Sequence, residues 1–165
     1  MILDDINIEA VKALLSEIPD PEIPVITIAD LGILREVKEH DGKIIVTITP
    51  TYSGCPAMKA IENEIGSVLK ENSIDDFEVK YTYAPAWTTD WMNDSAKEKL
   101  RAYGIAPPEK STSDKNVLMP HQKMRNCPRC GSGNTEMISA FGSTACKALY
   151  RCKNCGEPFD YFKCH

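Results

Sequence analysis

Six of the seven cysteines fall after residue 126, and four of them form two Cys-x-x-Cys pairs: Cys127 and Cys130 in CPRCGS, Cys152 and Cys155 in CKNCGE. No other feature limits so tightly what this tail can fold into. The N-terminus, MILDDINIEA, opens acidic, with no basic stretch ahead of an apolar one. The expectation is therefore a cytoplasmic chain with no secretory signal, where an odd cysteine count with paired spacing reads as metal ligation rather than disulfides. A glycine after each pair lets the turn aim backbone amides at the sulfurs, and a strand-forming stretch separates the pairs. The spacing predicts a tetrahedral four-thiolate site that suits zinc or iron. So short a segment cannot fold on burial alone, so the metal would supply folding free energy. Cys146, Cys164 and His165 stay open between a second soft-ligand set, substitution in the first, and core or bystander roles.

The rest of the chain reads as an ordinary folded protein. Its 165 residues are 42% apolar and 26% charged, enough for one domain and a small appendage. A net charge of -5 makes no field that gathers phosphates, so nucleic acid is not an expected partner. Apolar runs such as KIIVTITP fall far short of the ~18 residues of a spanning helix, so no membrane is expected either. We read residues 1–104 as the main domain, 105–126 as a polar, proline-containing linker and 127–165 as the metal module.

Within the main domain, Ile6, Val11, Leu14, Leu15 and Ile18 recur at helical spacing until Pro19 and Pro21. LREVKE and KIIVTITP flank a turn at Asp41 and Gly42, as in a hairpin. AMKAIENEIGSVLKE puts Met58, Ile61, Ile65, Val68 and Leu69 on one helical face, FEVKYTYAP alternates as a third strand, and SAKEKLRAYG reads as a helix stopped by Gly104. The fold class is α+β: a small mixed sheet with packed helices, followed by a C-terminal four-cysteine module of the zinc-ribbon type.

The stretch TYSGCPAM lies where the second strand gives way to the second helix. Gly54 permits a sharp turn, Pro56 suits the first helical position, and Cys55 is expected at the helix N-cap, where unpaired N–H groups and the helix dipole would lower its pKa. The alternative is a small buried core cysteine. Thr49, Thr51 and Ser53 are candidate donors to the sulfur or simple turn residues. Asp20 and Glu22 of DPEIP are candidates to position a partner or metal, against plain surface-turn roles. In PAWTTDWM, Asp90 is a supporting candidate, and Trp87 and Trp91 read as core or interface with cofactor shielding as the alternative.

DPEIPVITIADLGILREV followed by TPTYSGCPAMKAIENEI resembles the α+β family of iron-sulfur assembly factors typified by SufT. With PAWTTDWM and FGSTACKALYRCKNCGEPFDYFKCH added, nearly the whole chain resembles the PaaD family, accessory proteins of the phenylacetyl-CoA epoxidase system in aerobic phenylacetate degradation. The resemblance implies a role in maturing a metal centre of that complex, which has a diiron oxygenase component and a reductase carrying flavin and an iron-sulfur cluster. It makes Cys55 the functional thiol and places Asp20 or Glu22 in the other shared motif. The expected function is a non-catalytic maturation factor: Cys55, with help from a second copy of the chain or from the tail, transiently holds iron or a cluster and passes it to the reductase or oxygenase. The zinc (or iron) module is then structural or docks partners. Two alternatives remain. One is an integral oxygenase subunit or a thiol enzyme, weakened because His40, His121 and His165 offer no convincing general base; the other is a zinc-ribbon module that docks protein.

Overall fold

The computed structural model describes residues 7–52, 54–108 and 125–162. The chain divides into two compact units, Met1–Trp87 and Thr88–His165.

The N-terminal unit opens with α1 (Ile8–Ser16), whose N-cap Asn7 accepts a hydrogen bond from the Ala10 N–H at 3.2 Å and which buries Val11 and Leu15. Ile6, expected on the same face, lies outside the described residues. The proline-containing loop that follows is closed by an isolated bridge between Pro19 and Thr27. Strands β1 (Leu34–His40) and β2 (Lys43–Ile48) form the expected antiparallel hairpin. It turns at Asp41 and Gly42, both with positive φ (54° and 80°), and the Gly42 N–H is tied to the Glu39 carboxylate at 3.0 Å.

β2 pairs in parallel with β3 (Phe77–Tyr81), so the two need a crossover, which α2 (Ala57–Glu71) provides. The sheet order is β1-β2-β3. Ile44, Val46 and Ile48 of β2 are fully buried, as are Ile65 and Leu69 of α2, at 0% exposure. Each such side chain contributes about 1.5–3 kcal/mol of burial. Ile45 of β2 and Thr49 just past its end are buried as well; the strand is central in its sheet and covered beyond one face. This core holds the β2-to-α2 turn, and Cys55 with it.

The C-terminal unit begins with a one-turn helix, Thr89–Trp91, and continues into α3 (Asp94–Tyr103), N-capped by Asn93 and ended at Gly104. Its sheet contains β4 (Ile105–Ala106), β5 (Thr135–Ser139), β6 (Lys147–Cys152) and β7 (Pro158–Phe162) in the order β4-β7-β6-β5. All pairs are antiparallel except β4 with β7. Tyr150 stacks on Phe159 and meets Tyr161 edge-on, both at 5.8 Å between ring centres, over the buried Cys127 and Cys152.

The structure parts the chain differently from the division at residue 104. α3 and β4 belong to the second unit, and Ile105 and Ala106 pair with Asp160 and Tyr161. A two-residue strand has no periodicity to detect; only its distant pairing partner reveals it. Of the linker read at 105–126, residues 109–124 lie outside the described residues.

Candidate functional site

Cys55 is placed by a tight chain reversal. The Thr49 N–H donates to Ile33 O at 2.9 Å as β2 ends, Gly54 adopts φ +77°, and the Cys55 N–H donates to Tyr52 O at 3.3 Å. An L side chain at residue 54 would meet no neighbour, so glycine is required there by backbone conformation and not by space. Pro56 is the N-cap of α2, and the Met58 N–H closes the first turn onto Cys55 O at 3.3 Å. Cys55 therefore sits one position outside the expected N-cap.

The sulfur is half-buried and meets polar groups, not hydrocarbon alone. Burial pushes the thiol above its ordinary value of 9.0, and the negative charge of Glu22 pushes the same way; the Ala57 N–H and the hydroxyls of Thr51 and Tyr52 pull downward without prevailing. The expected lowering of the pKa is thus reversed. Among the described residues the Ala57 N–H is the main-chain donor to the sulfur, and desolvation with the charge of Glu22 outweighs it. With nothing bound, Cys55 is a neutral thiol at pH 7.

The two acids of DPEIP separate in role. Asp20 is 6% exposed, and its Oδ1 accepts from the N–H groups of Glu22 at 2.9 Å and Ile23 at 2.8 Å. Its own N–H donates to Ile26 O at 2.8 Å. Asp20 is a buried staple of its loop, not a surface-turn residue, and the loop it shapes presents Glu22 to Cys55. Tyr52 was missed in the sequence; adjacency within TYSGCPAM was its only signal. Ser53 lies outside the described residues.

Trp87 is a core residue whose indole N–H donates to Leu31 O at 2.7 Å. Asp90 is exposed in the one-turn helix of the second unit, its N–H bonded to Thr88 Oγ1 at 3.3 Å.

The four tail cysteines converge. Their Sγ atoms all lie within 4.8 Å of one another, with Cys127–Cys155 at 3.8 Å and Cys130–Cys152 at 3.6 Å. Zinc–sulfur bonds of about 2.3 Å in a tetrahedron put sulfurs about 3.8 Å apart, so the donor set fits zinc, or iron of similar bond length. The two knuckles are built alike: Gly131 N–H donates to Cys127 O and Gly156 N–H to Cys152 O, both at 2.9 Å. Arg129 and Glu157 link one knuckle to the other at 2.6 Å.

In one another's field the sulfurs ionise unevenly. The Ser132 N–H holds Cys130 down at about 6. Cys155, although the Glu157 N–H pulls it down, is pushed up to about 11 by desolvation and the neighbouring sulfurs. Four thiolates this close need a positive ion among them. Cys146 is buried outside this set, its Sγ 2.9 Å from Thr144 Oγ1. Cys164 and His165 lie outside the described residues.

An α+β domain carrying a cysteine-containing strand-to-helix turn, joined to a four-cysteine ribbon, defines a two-part class of metal-handling protein. Residues 8–80 match the iron-sulfur cluster assembly protein family, and residues 111–163 match the PaaD zinc beta ribbon domain. The chain is 50% identical over 158 residues to a protein of Escherichia coli K12 named as a putative 1,2-phenylacetyl-CoA epoxidase component, covering 96% of this chain and 93% of that protein. It belongs to the PaaD family. The Fe-S protein maturation auxiliary factor SufT of Staphylococcus aureus is 39% identical over 83 residues, 49% of this chain and 93% of that one. A solved domain of unknown function, DUF59, from Bacillus anthracis superposes with a TM-score of 0.52 at 28% identity, covering 56% of this chain and 90% of that one. Among the described residues no helix is long and apolar enough to cross a membrane.

Proposed function

We propose that this protein is a maturation factor for the metal centres of a phenylacetyl-CoA epoxidase complex, with iron or an iron-sulfur cluster as its cargo and Cys55 as the carrier thiol. Its partners are the oxygenase and reductase components. The observation that carries this reading is one half-buried sulfur that accepts from the Ala57 N–H and the Thr51 and Tyr52 hydroxyls and feels the charge of Glu22.

That arrangement suits a carrier. Burial and the Glu22 charge together keep the thiol protonated, and that charge turns favourable once a cation arrives: thiolate and carboxylate then face the same positive charge, and the thiol proton leaves to solvent. Uptake is thereby tied to proton release, and delivery to the return of that proton. One thiolate with a neighbouring carboxylate is a weak cage, and weak ligands exchange. The family likeness supports the same reading, since relatives of the N-terminal unit are named as Fe-S protein maturation auxiliary factors. In the second unit, Cys127, Cys130, Cys152 and Cys155 would hold zinc, with iron as the other ion they fit, and the bound ion would supply folding free energy and a rigid docking surface.

A test in cells that lack their own copy separates carrier from bystander. The parent protein restores phenylacetyl-CoA epoxidase activity, and Cys55→Ala, present at the same level, does not. Equal rescue by the two would remove Cys55 from the function.

A further inference from the structure

A cavity of about 300 Å³ lies within the C-terminal unit, walled by α3, the segment after β4 and the knuckle of Cys127. Three of its lining residues are cations, Lys97, Arg101 and Arg125, and among the described residues no acidic side chain lines it. In a chain of net charge -5 this is a local reversal of sign.

Lys97 and Arg101 are one turn apart on α3, so they share a face, an arrangement that costs a helix a few tenths of a kcal/mol in like-charge repulsion. Arg101 is partly answered by Glu98 through Nη1, while Lys97 has no carboxylate partner among the described residues. Arg125 is set in place before any ligand arrives. Its backbone is bound on both sides by Thr135, whose Oγ1 accepts from the Arg125 N–H at 2.9 Å and donates to Arg125 O at 2.6 Å. Its guanidinium lies 4.1 Å over the Tyr161 ring. Planar guanidinium groups suit carboxylates, which they grip with two parallel hydrogen bonds.

We propose that this cavity receives an acidic segment of a partner protein, with the carboxylates of one or two Asp or Glu side chains between Lys97, Arg101 and Arg125. The apolar walls, Pro107, Pro108 and Pro128 with Tyr161, favour an anion that carries hydrocarbon over a bare inorganic one. The volume, at the lower end for ligand pockets, holds a side chain or two and excludes larger groups. Contacts of this kind are steered by charge and screened by salt, so the complex forms fast and releases readily. The inference rests on the docking role given above to the second unit, and it is independent of what Cys55 carries.

The experiment uses the full-length, metal-loaded protein and a fluorescein-labelled hexaglutamate peptide, with hexaglutamine as the neutral control and binding read by fluorescence anisotropy. Hexaglutamate binds, hexaglutamine does not, and affinity falls as sodium chloride is raised. Lys97→Glu weakens binding about tenfold and Arg101→Gln about threefold, with helix content and bound metal unchanged. Arg125→Lys, which keeps the charge and loses the planar stack, weakens it by an intermediate amount. Binding of hexaglutamate that is indifferent to Lys97→Glu, or matched by hexaglutamine, overturns the proposal. So does displacement by inorganic phosphate well below the ionic strength at which sodium chloride acts, since that marks a simple anion pocket. Cargo transfer does not enter the measurement, so its failure leaves the Cys55 reading standing, and the converse holds.

Discussion

Burial first, and the charge of Glu22 after it, hold the Cys55 thiol in its neutral form. The thiol pKa is raised, so at any given pH less thiolate is present than in a free cysteine peptide, and alkylation by iodoacetamide should reach half its limiting rate at a higher pH. Stability follows the same sign: the contribution of the neutral thiol is intact at neutral pH and erodes only as pH climbs past the ordinary value of 9.0. Glu22→Gln removes one of the two upward influences. The Cys55 alkylation rate at pH 8, read by peptide mapping, should then rise about two- to threefold, a modest change because the sulfur is partly solvated. Retention of iron at the site should fall in the same variant. An unchanged rate would mean that the carboxylate does not act on the thiol.

At the scale of elements, the knuckles set by Cys127 and Cys130 and by Cys152 and Cys155 make the most exacting demand. Among the described residues the core cluster of their sheet is small, built on Tyr150, Phe159 and Tyr161 with Met137 packed against it, and it includes two of the ligand cysteines, Cys127 and Cys152. Structural zinc contributes an apparent ~10–16 kcal/mol in small domains, as much as the whole stability of many folded units. Stripping the metal with a strong chelator under reducing conditions should abolish the near-ultraviolet circular dichroism of these aromatics, while helix signal from α1 and α2 persists. Full retention of the aromatic signal after the metal is gone would contradict a structural role for it.

Elements also show how far the residues alone could be read. α2 and the β1–β2 hairpin were legible because long apolar periodicity and a paired Asp-Gly turn are local signals. The four ligand cysteines were legible because each pair is local and only the pairing of pairs is distant. β4 was not, since its two residues mean nothing without β7. The ionisation of Cys55 was misread for the same kind of reason: its local setting, a helix start after Gly54, points to a lowered pKa, but the deciding influences are burial and a carboxylate on another loop. Asp20 looked like a surface-turn acid because its burial leaves no mark at its own position.

On the scale of the whole molecule, the proposed function gives each of the two units a metal chemistry of its own. The N-terminal unit corresponds to relatives about half as long, such as SufT of Staphylococcus aureus, which matches 49% of this chain. The ribbon, matched by the PaaD zinc beta ribbon model, brings four cysteine sulfurs together, where the carrier reading gives Cys55 one. A protein of this plan should therefore hold one ion firmly and another loosely. The most direct measurement is iron and sulfide bound after anaerobic loading of zinc-saturated protein, compared between the parent and Cys55→Ala. The parent should take up iron beyond its zinc and surrender it to a competing chelator within minutes, and Cys55→Ala should take up none above background. Equal iron in the two proteins would show that the cargo, if any, is held elsewhere, and the carrier account would fail.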